Sequence, residues 1–209
     1  MLKLVGKKVS APIAFLNHTS AVFTNYRSGC TTGSINTTSA KLIVASVSTY
    51  QNFPAFTDSQ GNTWTQLNTY TSGQLKVKIY YCINPTVSAS HTFSLGTGVT
   101  AYANLNVMSF SGGSISYETI TGSSGSSPLS SGSLTPTNNK SLIITALVTD
   151  NHTTAATASS PFSYYFTGYI TGQRVAGGIG YYIQPTAASI GCTWTWTGPA
   201  GATTLAVFY

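Results

Sequence analysis

Lys41-Leu42-Ile43-Val44-Ala45-Ser46-Val47-Ser48 decides how this chain is read, because a close counterpart follows at Lys140-Ser141-Leu142-Ile143-Ile144-Thr145-Ala146-Leu147-Val148-Thr149. Leu42 to Val47 is apolar at nearly every position, as expected of a strand covered on both faces. The echo continues at an offset of 100: Ile83-Asn84-Pro85-Thr86 answers Ile183-Gln184-Pro185-Thr186, and Leu105-Asn106-Val107 answers Leu205-Ala206-Val207. The chain therefore consists of two related strand-forming halves.

Working outward, the clearest alternation is Leu75-Lys76-Val77-Lys78-Ile79-Tyr80. Its period of two sends Leu75, Val77 and Ile79 to a core and Lys76 and Lys78 to water or a partner. Pro85 ends that segment, since proline cannot donate to a sheet ladder. Between Phe53–Phe56 and Trp64–Leu67 lies Asp58-Ser59-Gln60-Gly61-Asn62, which reads as a hairpin loop. Asp58 would accept backbone amides there, and Gly61 would supply a positive φ. In Thr193-Trp194-Thr195-Trp196-Thr197 both tryptophans point the same way, toward a facing sheet or onto a surface platform for carbohydrate. No window of eleven or more residues carries the 3.6-residue period, so little helix is expected.

These signals predict an all-β fold, a two-sheet antiparallel β-sandwich, jelly-roll-like or Ig-like, built from the two related halves. Residues 1–28 read as an N-terminal arm and leading strands, 29–120 as the first half, 121–133 as a Ser/Gly-rich loop, and 134–209 as the second half. The halves are expected to fuse into one sandwich, because a unit of about 70 residues has a marginal core alone.

Composition narrows the function. Of the 209 residues only 6% are charged, 9 basic against 3 acidic, giving a net charge of +6; roughly a quarter is usual. No apolar run approaches the roughly 20 residues of a spanning helix, so no membrane partner is expected. Aromatics make up 12% of the chain, which supplies enough to bury and argues against disorder. The surface polarity falls to Ser, Thr, Asn, Gln and Gly, a neutral hydroxyl-rich palette suited to an extracellular or virion surface. The start, Met1 to Lys8, lacks the apolar core of a secretory signal. A protein assembled in a cytoplasm and released, as in a virion, reconciles those two observations, and so does a mature secreted domain.

Catalytic constellations are thin. The acids are Asp58, Glu118 and Asp150; two of them read as turn residues, whereas glycoside hydrolysis requires a carboxylate pair across a cleft. His18, His91 and His152 are scattered, and no G-x-S-x-G elbow is present. Cys30, Cys82 and Cys192 have no zinc-type spacing and read as buried free thiols, with one disulfide and a leftover thiol as the alternative. Gly96-Thr97-Gly98-Val99-Thr100-Ala101 matches a dinucleotide fingerprint, but Tyr102 to Phe110 after it reads as strand, and such a site requires a helix. The sequons at Asn17, Asn36, Asn139 and Asn151 follow from a Thr-rich composition. The expectation is a non-enzymatic protein with no cofactor and no metal.

The run Leu42 to Ser48, then Thr57-Asp58-Ser59-Gln60-Gly61-Asn62-Thr63-Trp64, then Ile79-Tyr80-Tyr81 resembles β-sandwich modules of tailed-phage structural proteins and of bacterial extracellular proteins. The resemblance covers about residues 40–110, with a fainter match over 140–209. It implies a surface or binding role and transfers no active-site residue.

Two functions follow as expectations. The first is a structural protein of a virion or extracellular assembly (a capsid decoration, tail appendage or filament subunit) acting through protein–protein contacts. It would be a homo-oligomer or a major virion or filament protein. Its interface would be the basic N-terminal arm, Leu2, Lys3, Leu4, Lys7 and Lys8, with residues 2–15 added as a strand to a neighbour. Nucleic acid is not expected as the main partner, because no basic groove is interleaved with aromatics. The second is a carbohydrate-binding or adhesin module that uses exposed aromatics for sugar or partner contacts: Tyr50, Phe53, Trp64, Tyr70, Tyr164, Tyr165 and Tyr169.

Overall fold

The computed structural model describes residues 11–23, 25, 28–97, 101–150, 155–168 and 174–209, and among these seventeen strands carry the fold. The first half supplies β1 (Ala14–Val22), β2 (Cys30–Thr31), β3 (Leu42–Gln51), β4 (Phe56–Asp58), β5 (Thr65–Gln66), β6 (Tyr70–Ser72), β7 (Leu75–Ile83), β8 (Phe93–Leu95) and β9 (Ala101–Ser111). The second supplies β10 (Tyr117–Gly125), β11 (Leu129–Leu134), β12 (Ser141–Thr149), β13 (Ala156–Ala158), β14 (Ser163–Thr167), β15 (Ala176–Gln184), β16 (Ile190–Trp196) and β17 (Gly201–Phe208). Among the described residues there is no helix.

The duplication is visible in the sheet order. In the first half a large sheet runs β1-β9-β3-β7-β5, with β6 also on β7, and a small sheet runs β2-β8-β4. The second half repeats the plan as β10-β17-β12-β15-β14 and β11-β16-β13. All the strand pairs are antiparallel. The echoed segments occupy equivalent places: β3 and β12 at the sheet centres, β7 and β15 beside them, β9 and β17 on the other side.

The two large sheets pack face to face, and each small sheet covers the outer face of its own large one. The all-β sandwich is as expected, but it has four layers where the sequence suggested two. Alternation along β3 shows why. Leu42 and Val44 enter the central core with Leu142, Ile144, Ala146 and Phe208 of the other half. Ile43, Ala45 and Val47 enter an outer core with Phe93 and Leu95. On β12 the same alternation sends Ile143 and Leu147 to a second outer core around Trp194. A strand between two apolar layers needs apolar residues at consecutive positions, which is what made both ribs conspicuous.

The seam between the large sheets is partly polar. Ser48 Oγ donates to the carbonyl of Leu147 at 2.9 Å. Asn106 Nδ2 donates to Asn104 Oδ1 at 2.7 Å, while Thr167 Oγ1 donates to Asn106 Oδ1 at 2.6 Å. Buried amides and hydroxyls that satisfy one another set the register of the halves, since any slip would orphan them.

Two expectations are corrected. Residues 121–133 are not a loop: most lie in β10 and β11, paired with β17 and β16. Small side chains suit strands pressed against neighbours; a Cβ on Gly122 would come within 2.7 Å of the Tyr70 ring. Within 1–28, read as an arm and leading strands, the described residues supply one strand, β1, which pairs with β9 at the edge of the first large sheet. The turn at Asp58–Asn62 is not a hairpin, for β4 pairs with β8 in the small sheet while β5 pairs with β7 in the large one. It carries the chain from one layer to the next. Trp194 and Trp196 are core residues, 0% and 6% exposed, and not a surface platform.

Candidate functional site

The layer-crossing turn builds a concavity on the surface. The small sheet is too narrow to cover the end of β7, so the outward face of that strand stays partly open. An open groove of about 610 Å³ results, lined by Phe53, Phe56, Asn62, Trp64, Gln66, Lys78 and Tyr80, with Pro54 and Ala55. Tyr80 lies at its base, only 5% exposed, with Phe56 tilted 5.2 Å away. Phe56 also meets Trp64 at 4.6 Å between ring centroids, and Trp64 sits edge-on to Phe93 at 6.2 Å. One face of the groove is thus a continuous aromatic surface anchored in the outer core.

A buried polar cluster holds that surface still. Trp64 Nε1 donates to Asp58 Oδ2 at 2.7 Å. The other carboxylate oxygen accepts the Gln60 amide at 2.7 Å and the Asn62 side chain at 3.3 Å. His91 Nε2 lies 3.2 Å from that same oxygen, both side chains fully buried, and His91 Nδ1 is 2.9 Å from Thr37 Oγ1. Asn62 bridges onward, accepting the Thr86 amide at 2.7 Å and donating to the Thr86 carbonyl at 3.1 Å. Gly61 takes φ +67° to close the turn, a conformation open to glycine. The Asp58–His91–Thr37 line superficially has the members of a catalytic triad. It is sealed from solvent, however, and the carboxylate is committed to the indole and backbone amides, so its role here is to position Trp64.

The polar side of the groove comes from β7 and β5. Lys78 Nζ donates to Gln66 Oε1 at 3.0 Å and stands 4.5 Å from the Phe53 ring centroid and 5.7 Å from that of Tyr80. Partial burial, and then the neighbouring charge of Lys76, lower the Lys78 pKa. Burial raises the Tyr80 phenol, which stays protonated at neutral pH.

The structure draws together two of the seven aromatic candidates, Phe53 and Trp64. Tyr50 lies elsewhere, in a cleft of about 320 Å³ with Gln51, Gln74, Tyr102 and Arg174, the guanidinium 5.5 Å from its ring. Tyr70 packs at the seam against Gly122 of the second half. Tyr164 and Tyr165 are both 37% exposed on β14. They point to opposite faces: Tyr164 lies edge-on to Trp194 at 5.7 Å, and Tyr165 stacks on His18 at 3.8 Å. Tyr169 lies outside the described residues, as do Leu2, Lys3, Leu4, Lys7 and Lys8 of the expected interface. Sequence reasoning missed Phe56, Tyr80 and Gln66 as groove residues and marked Lys78 only as facing water or a partner. The usable signal was the alternation of β7, which puts Lys76, Lys78 and Tyr80 on one face.

The remaining acids stand apart from the groove. Glu118 on β10 accepts the Thr137 amide at 3.0 Å, and Asp150 follows β12. Among the described residues no three His, Cys, Asp or Glu side chains converge as metal ligands. Comparison of the chain with models of protein families, with curated proteins and with solved structures finds no match.

Proposed function

We propose that this chain is a non-catalytic surface module of a virion or extracellular assembly that holds a saccharide in the Phe53–Trp64 groove. One observation carries the reading: an open groove whose apolar side is a fixed aromatic surface and whose polar side carries an amide and an ammonium. Sugar rings present flat C–H faces and a rim of hydroxyls, so aromatic stacking with a few directed polar groups is the chemistry that holds them. The positions of the rings are set by burial and by the Asp58 cluster, which limits the entropy lost on binding. The neutral, hydroxyl-rich exterior supports an extracellular or virion setting.

Intrinsic fluorescence tests this directly, because Trp194 and Trp196 are core residues while Trp64 lines the groove. Titration with oligosaccharides found on a glycan array should change the Trp64 emission, and Phe53→Ala should weaken binding about tenfold or more. A protein that binds no saccharide on the array overturns the reading.

A second reading, assembly through protein–protein contacts, is favoured by β14. This strand lies at a sheet edge, carries two exposed tyrosines and contains no charge or proline to block pairing. A neighbouring copy supplying its N-terminal segment as an added strand would bury that edge. Size-exclusion chromatography and negative-stain imaging of the intact protein and of a variant lacking residues 1–12 test it. Oligomers lost on truncation support this reading, and a strict monomer at high concentration overturns it.

A further inference from the structure

The groove holds a cation without a carboxylate partner. An ammonium has three donors; Lys78 directs one to Gln66 Oε1 at 3.0 Å, and its nitrogen stands over the Phe53 ring. Lys76 stands two residues along on the same face of β7, so two positive charges share this side of the strand. Asp58 is the acid nearest in the network, but its carboxylate is buried and turned onto Trp64 Nε1, the Gln60 amide and Asn62. Among the described residues no ion pair reaches Lys78. The whole chain adds to the field with a net charge of +6.

We propose that the ligand of this groove is an acidic saccharide, one whose ring stacks on the Phe53, Phe56 and Trp64 surface while its carboxylate or sulfate meets Lys78. The proposal rests on the saccharide reading above and narrows it to a charge class. The geometry suits the task. Lys78 is held over aromatic rings where water is partly excluded, so an anion reaching it forms a charge-assisted bond stronger than one at a bare surface. Gln66 orients the ammonium and offers its own amide to a ring hydroxyl. A neutral sugar could accept from Lys78 only through hydroxyl oxygens, without an opposite charge, and would gain nothing from Lys76.

The test compares tetragalacturonic acid with its fully methyl-esterified form, which keeps the ring shape and loses the charge. A sulfated chondroitin tetrasaccharide distinguishes sulfate from carboxylate as the anion. Affinities are read by calorimetry or by Trp64 fluorescence at two salt concentrations. The expected result is at least tenfold tighter binding of one of the acids than of the ester. That preference should shrink with salt and disappear in Lys78→Gln, while Lys78→Arg retains it. Equal binding of acid and ester, with both weakened by Phe53→Ala, would overturn the acidic class and leave the saccharide reading standing. Absence of binding to any of these, together with an unresponsive glycan array, overturns both. Circular dichroism of Lys78→Gln confirms that the variant is folded; Lys78 is partly exposed, and its replacement removes no core atom.

Discussion

Trp64 Nε1 and Asp58 Oδ2 are joined by a 2.7 Å hydrogen bond that links the layer-crossing turn to the groove surface. The same carboxylate receives the Gln60 amide and the Asn62 side chain. Asp58→Ala removes the acceptor and strands the part-buried Trp64 indole and Gln60 amide, while Asn62 keeps its bonds to Thr86. A loss of about 2–4 kcal/mol is expected, above the usual value for one neutral bond because two donors are stranded at once. Urea unfolding measures it. Released from its anchor, Trp64 should also show broader and red-shifted emission in the folded variant.

Close approach of the halves predicts a second sensitivity. A Cβ on Gly177 would lie 2.5 Å from Ser48 Oγ and 2.8 Å from Ser48 Cβ. Gly177→Ala must push β15 away from β3 across the seam, and overpacking of this kind costs about 1–3 kcal/mol. A lowered urea midpoint with an unchanged slope is the expected outcome.

His18 gives the seam a pH dependence. Asn106 Nδ2 is committed to Asn104, so Asn106 Oδ1 faces His18 as an acceptor, and the imidazole contributes an Nε2–H at 3.2 Å. The ring is stacked under Tyr165, and burial lowers its pKa from 6.5, a pull only partly offset by the Asn106 bond. On acidification the unfolded chain therefore takes up this proton before the folded one does. The His18 contribution is intact above pH 6.5 and declines as pH falls from there through the lowered folded value. Measured against His18→Gln, wild-type stability should fall more steeply over that window.

The three thiols should be slow to react. Burial pushes Cys30 up to about 12 and Cys192 to about 11, and it raises Cys82 as well. None of them is in a disulfide. Thiolate is the reacting species, so Ellman's reagent at pH 8 should label the native protein roughly a hundredfold more slowly than the denatured chain. In denaturant all three should react at once.

Much of the scaffold was legible because its cause is local. Side chains alternate along any strand, so Leu75, Val77 and Ile79 had to share a face opposite Lys76 and Lys78, and the structure buries the first three. Continuous burial of β3 and β12 was equally plain, since two covered faces leave no position for a polar stripe. The turn role of Asp58 followed from its short side chain and the glycine after it.

The sequence by itself determined strand content, the duplication, the doubly buried ribs and which residues of β7 point outward. Tertiary structure alone decided that the layers number four, that Ser/Gly-rich 121–133 pairs as strand, and that β4 and β5 join different sheets. It also gathered Phe53, Phe56, Trp64, Gln66, Lys78 and Tyr80 around one groove. The physical reason is that covalent geometry fixes which side of a strand a residue occupies, while the layer that covers that side, or stops short of it, is set by contacts between residues far apart in the chain.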